Sequence, residues 1–216
     1  MPDPLSQEPS PVQELRNRDG VLMMRREMQD GQPHGLVERY RRDGGLQQRM
    51  QFQNGKPHGP CLVYDRQGKV AQQLNYEDGK LKGECCFYRS EALVSRIPFH
   101  DNKPHGVAQV FDAGGNLVSE MTYHEGILHG VAKAYDALGH VVRIQQYHEG
   151  QLEGPSQYFY PRGALMREET YCANKLQGKV VHYYEDGTLL SVAHYENGKL
   201  LQPVVKFDPK GREIKT

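Results

Sequence analysis

A turn residue recurs along this chain at a nearly constant interval. It stands at Gly31, Gly55, Gly79, Asn102, Gly126, Gly150, Asn174 and Gly198, in steps of 24 residues with a single step of 23. Self-similarity on that scale is the mark of a repeat architecture, in which each unit is one supersecondary element and stability comes from stacking neighbours. The rest of the unit keeps the same phase. A second Gly comes four residues later (Gly35, Gly59, Gly83, Gly106, Gly130, Gly154, Gly178), replaced by Gln202 in the last copy. Five residues on stands an aromatic (Tyr40, Tyr64, Tyr88, Phe111, Tyr135, Phe159, Tyr183, Phe207). A third Gly follows four later (Gly44, Gly68, Gly115, Gly139, Gly163, Gly187, Gly211), and eight after it a second aromatic (Phe52, Tyr76, Phe99, Tyr123, Tyr147, Tyr171, Tyr195).

The segments between turn residues are five to eight long, too short for helices, and are bounded by Asp-Gly and Asn-Gly pairs. Each unit therefore reads as strand, tight turn, strand, tight turn. The 23-residue step falls where the third Gly is missing, in YRSEALVSRIPF over residues 88–99, so the deletion lies in a turn. Asn102 and Asn174 replace Gly because Asn tolerates positive φ. Alternation places Leu46, Met50 and Phe52, and likewise Val70, Leu74 and Tyr76, on one apolar face, opposite the largely polar Gln51, Asn75, Thr122, Gln146, Thr170 and His194. The apolar face turns polar at Gln145 and Glu169. The expected fold is all-β: an elongated, twisted antiparallel sheet of about eight hairpin units over residues 12–216, about sixteen strands spanning on the order of 75 Å. Four prolines among residues 1–11 give the expectation of a flexible tail there.

Composition agrees with a thin fold lacking one large core. Hydrophobic residues make up 37%, Trp is absent and the mean hydropathy is −0.76. Thirteen Tyr spread evenly through the chain separate it from disordered sequences. Lys plus Arg and Asp plus Glu number 27 each, which leaves no long-range positive field for nucleic acid or anionic lipid. No stretch reaches the apolar length of a membrane span, and the first residues lack the pattern of a signal peptide. With four cysteines (Cys61, Cys85, Cys86, Cys172), a cytoplasmic location and free thiols are expected.

The segment GKPHGPCLVYDRQGKVAQQLNYEDGKLKG, residues 55–83, resembles the bacterial variant of the MORN repeat, and the resemblance extends over residues 12–216. It implies a hairpin-repeat sheet. Bacterial chains built only of such units resemble YwqK-type antitoxins, or immunity proteins, which implies a cognate protein toxin as partner. The alternatives are a scaffold without a toxin partner and a membrane-surface protein of the MORN type.

Candidate chemistry is sparse. The row His34, His58, His105 and His129 invites a metal. Equivalent positions in successive hairpins lie two strands apart, however, roughly 9.5 Å at about 4.8 Å per strand, and ligands of one ion at about 2 Å must be within about 4 Å of each other. The same spacing keeps Cys61 and Cys85 from a disulfide and places them in a column of small residues with Val37, Ala108, Ala132, Ser156 and Val180. No nucleophile–base pair, carboxylate pair or phosphate loop stands out from the repeat, so neither catalysis nor a cofactor is expected. The expected partner-binding residues are outward, non-aromatic and different in each copy: Glu38, Gln109, Lys133 and Gln157 on first strands, and Arg49, Arg96, Glu120 and Glu168 on second strands. Arg143 and Arg167 add a local basic pair suited to an acidic partner.

Overall fold

The computed structural model describes residues 11–214. Every regular element among them is a β-strand, and the strands pair antiparallel in sequence order, as the repeat predicts. The 21 strand segments exceed the expected sixteen mainly because Lys80–Leu81, Lys103–Pro104, Lys175–Leu176 and Lys199–Leu200 are short pieces split from the strand or sheet position that follows. Backbone contacts divide the chain into two compact units, one ending at Lys103 and one beginning at Pro104. The expected tail lies outside the described residues except for Pro11, whose carbonyl accepts a hydrogen bond from Met28 N at 3.0 Å.

One unit from the first half shows how sequence dictates the hairpin. The strands Gln32–Tyr40 and Leu46–Gln53 pair from Gly35↔Phe52 to Tyr40↔Leu46, and Lys56–Tyr64 then pairs back onto the second strand. The link between units is Asn54-Gly55, with φ of 49° and 77°. Two successive residues at positive φ define a type I′ turn, whose twist matches that of the flanking strands. The Gly55 amide donates to the carbonyl of Pro33 in the preceding copy at 2.9 Å, which stitches one turn to the next. Asn at the landmark does more than tolerate the conformation. Asn102 Oδ1 accepts from Leu81 N and Asn174 Oδ1 from Leu152 N, both at 2.8 Å, adding a second bond to the preceding copy.

The turn within a unit is longer and is followed by a register shift at the first-strand aromatic, as between Arg39 and Tyr40. Where its first residue is Asp or Asn, the side chain caps the loop: Asp65 Oδ1 accepts from Gln67 N and Lys69 N, both at 2.9 Å. Asn17, Asp112, Asp136 and Asp208 do the same. Hydrogen bonding to these backbone amides contributes to holding the Asp112, Asp136 and Asp208 carboxyls below the usual carboxylate range; for Asp112 the Asn116 side chain is the largest contributor. Where the position is Arg41, Tyr160 or Tyr184, the side chain instead donates to the carbonyl of Asp65, Tyr183 or Phe207 in the next copy. In the irregular copy the deletion replaces this loop by a two-residue turn, Ser90-Glu91, with Arg89 paired directly to Ala92.

The buried column sits where the small residues predict it. Cys61 and Cys85 are fully buried, and Val37, Ala108, Ser156 and Val180 are nearly so. In register they alternate with the second-strand apolar position: Val37↔Met50↔Cys61↔Leu74 in the first unit, and Ala108↔Met121↔Ala132 in the second. Further along the second unit the column continues as Gln145↔Ser156↔Glu169, all three buried. Burial pushes the Cys61 and Cys85 thiols up, and all four cysteines are free.

Candidate functional site

On each first strand, the residue after the small buried one points to the other face. There the register assembles most of the expected binding residues into a continuous row. In the second unit it runs Gln109↔Glu120↔Lys133↔Ile144↔Gln157↔Glu168↔Val181. In the first unit Glu38 pairs with Arg49, and Arg96 pairs with Cys86. Within their own units, eight of the ten predicted residues thus take this position: Glu38, Arg49 and Arg96 in the first and the other five in the second. Arg143 and Arg167 do not: they lie on the opposite face, one on each side of Tyr158. The Arg167 guanidinium stacks 3.9 Å over that ring and meets the buried Glu169 carboxylate at 3.2 Å.

The row is less open than its polarity implies. Glu38, expected to face solvent, is 6% exposed. It accepts from Tyr40 Oη at 2.7 Å and from Arg49 Nη2 at 2.9 Å. Burial raises its carboxyl, but these bonds and the charges of Arg49 and Arg25 outweigh it, and the group is held below its ordinary range. Glu120 accepts from Gln109 Nε2 at 3.0 Å and Tyr135 Oη at 2.7 Å, which lowers it as well. Burial, and then the bond to Glu120, push the Tyr135 hydroxyl up to about 12. Glu168 accepts from Tyr183 Oη at 2.7 Å. Among the described residues, the polar heads of this row left without a hydrogen bond are chiefly those between the clamped carboxylates, Lys133 and Gln157, both half-buried at their bases.

Those tyrosines lie on the face that alternation gives them. Tyr40 is two residues from Glu38 on the same strand, and its hydroxyl reaches back to the carboxylate. The extra residue of the adjoining register shift is Gln47 on the second strand, since Arg39 pairs with Gln48 and Tyr40 with Leu46. In two copies the histidine of the row bonds the backbone of the next turn. His34 Nδ1 and His58 Nδ1 accept from the amides of Asn54 and Asp78, each at 3.5 Å. Glu153 and Gln177, at the same repeat position, accept from Ala173 N at 2.7 Å and Asn197 N at 3.0 Å. Among the described residues no three His, Cys, Asp or Glu side chains converge as a metal site.

With this geometry in view, the family model for the MORN repeat variant matches four segments: residues 57–78, 104–125, 152–173 and 176–197. Each begins two residues after a turn landmark, at Pro57, Pro104, Leu152 and Leu176, on the phase read from the glycines. These four matches support a MORN-repeat protein. No curated protein matches it. Solved structures with some similarity include a mutant of S. aureus TarM in complex with Fondaparinux, alpha-GlcNAc-glycerol and UDP, at 13% identity over 55% of this chain and 19% of that one, with a TM-score of 0.27. Another is TcdB2-TccC3, at 15% identity over 95% of this chain and 15% of that one, with a TM-score of 0.18. This chain spans only those small shares of their lengths, and at these scores the likeness bears on neither fold nor function.

Proposed function

We propose that this MORN-repeat chain is a non-enzymatic, cytoplasmic antitoxin or immunity protein that binds a cognate protein toxin through the face carrying Gln109, Glu120, Lys133, Gln157 and Glu168. The observation that carries the reading is a contrast within single strands. One side chain, as in Ala108, Ala132 or Ser156, stays small and turned into the buried column. Its neighbour changes from amide to cation to amide in successive copies, at Gln109, Lys133 and Gln157. A repeat scaffold that holds one side constant and varies the other supplies a surface on which partner specificity is written without disturbing the fold. Balanced charge favours a protein partner over nucleic acid or an anionic bilayer.

The test is co-expression with the product of the adjacent open reading frame. Growth arrest by that product alone, relief by this chain, and a one-to-one complex of the two purified proteins are the expected results. A chain that gives no relief and binds several unrelated proteins points to the scaffold reading instead, and retention on anionic vesicles at low salt points to a membrane-surface role.

A further inference from the structure

In the second unit, two sets of histidines interleave beside the type I′ turns. His105 and His129 precede the second Gly of their copies, and His124 and His148 end the strands Leu117–His124 and Val141–His148. The ring centroids stand 5.0 Å apart for His105 and His124, 6.0 Å for His124 and His129, and 4.9 Å for His129 and His148. The spacing that excludes a metal for equivalent positions two strands apart does not apply here, because His124 and His148 occupy the intervening strands and halve it.

We propose that His105 with His124, and His129 with His148, form two equivalent two-imidazole sites for Zn2+ and neighbouring late first-row divalent ions, with water completing the coordination. A ring bound through nitrogen at about 2 Å has its centroid roughly 3 Å from the ion, so two ligands at the tetrahedral angle stand about 5 Å apart. The two within-copy pairs meet that distance, and the wider 6.0 Å contact separates them. His105 Nδ1 also lies 3.5 Å from Glu125 Oε1, the arrangement in which a carboxylate fixes ring orientation and raises ligand basicity. Glu149 repeats Glu125 in the next turn, and Glu153, beyond the second pair, has its carboxylate on the Ala173 amide. The first unit has no within-copy pair of this kind: Gln53 and Glu77 stand where His124 and His148 do, and in the copy that ends with His100 the row position is Lys82, which pairs with Glu77 at 2.6 Å. Two ligands per ion, with no third converging among the described residues, make these open and exchangeable sites.

Calorimetric titration of the full chain with Zn2+ tests this, in a Cys172→Ser background that removes the one exposed thiol. Two ions per chain are expected near neutral pH, lost on acidification because ligation needs neutral imidazole. His124→Gln with His148→Gln abolishes both while leaving the circular dichroism unchanged, since both side chains are exposed. His34→Gln with His58→Gln leaves both intact, and Glu125→Gln weakens one of the two by roughly ten- to a hundredfold. Retention of both ions by the His124/His148 variant, or their loss from the His34/His58 variant, overturns the proposal.

Discussion

Ser90 and Glu91 hold φ of 49° and 70° in the one turn from which a residue has been deleted. Neither is a residue that adopts this region cheaply, and the left-handed conformation costs an L-residue about 1–2 kcal/mol. Changing the pair to Asn-Gly, the preferred type I′ sequence, is expected to stabilise the chain by about 1 kcal/mol, even though it removes the exposed Lys69–Glu91 ion pair. Urea denaturation checks this, and an unchanged or lower midpoint would count against it. A second residue-level contrast lies in the buried column. Cys61 is fully buried with its thiol accepting from Gln48 Nε2 at 3.2 Å, whereas the Ser156 hydroxyl, at the same repeat position, is buried with no hydrogen-bond partner among the described residues. Burying an unpaired hydroxyl costs about 1–3 kcal/mol. Ser156→Ala is therefore expected to raise stability and Cys61→Ser to lower it, each by about 1 kcal/mol or more. The same sign for both substitutions would contradict the reading of a single shared column.

At the scale of the hairpin, the loop-capping aspartates make stability pH-dependent. The carboxyls of Asp112, Asp136 and Asp208 are depressed by hydrogen bonds, many of them from loop amides, and those of Glu38 and Glu120 by their tyrosine, arginine and glutamine partners. A group whose folded-state pKa is depressed contributes stability that is fully present above its unfolded value, about 4 for these residues. That contribution is lost as pH falls through the folded value. The chain is thus expected to hold its thermal midpoint from neutrality to about pH 5 and to lose it steeply below about pH 4. Asn at Asp112, Asp136 and Asp208 keeps the acceptor oxygen, as Asn17 does naturally, and should flatten the acid limb of a midpoint-against-pH series. An equally steep limb would place the acid sensitivity elsewhere. The hairpins themselves were legible in the sequence because positive φ is written in residue type, at Asn54-Gly55 and its equivalents. The bonds the tyrosines make were not. Alternation puts Tyr40 on the face of Glu38, but the 2.7 Å bond between them depends on how far the ring reaches, which period-two reasoning does not carry.

For the molecule as a set of repeats, the period makes a stronger statement than fold class. It fixes which side chains lie next to each other at long sequence separation, so the row from Gln109 to Glu168 and the column from Val37 to Leu74 both followed from counting. Two things did not. The interleaving of His124 between His105 and His129 needs the relation between first and second strands, which comparison of equivalent positions leaves out. The clamping of Glu38 by Tyr40 and Arg49 needs side-chain geometry, which turned a residue read as exposed into a buried one. The central claim is that the Glu120 face, and not the Arg143 face, meets the partner. It is tested most directly by measuring the affinity of the adjacent-frame product for two variants with unchanged circular dichroism: Gln109→Lys with Gln157→Lys on one face, and Arg143→Glu on the other. The expected result is a loss of at least about a hundredfold for the first, or roughly 3 kcal/mol, with the second unchanged. Binding lost through Arg143→Glu and retained in the double lysine variant would contradict it.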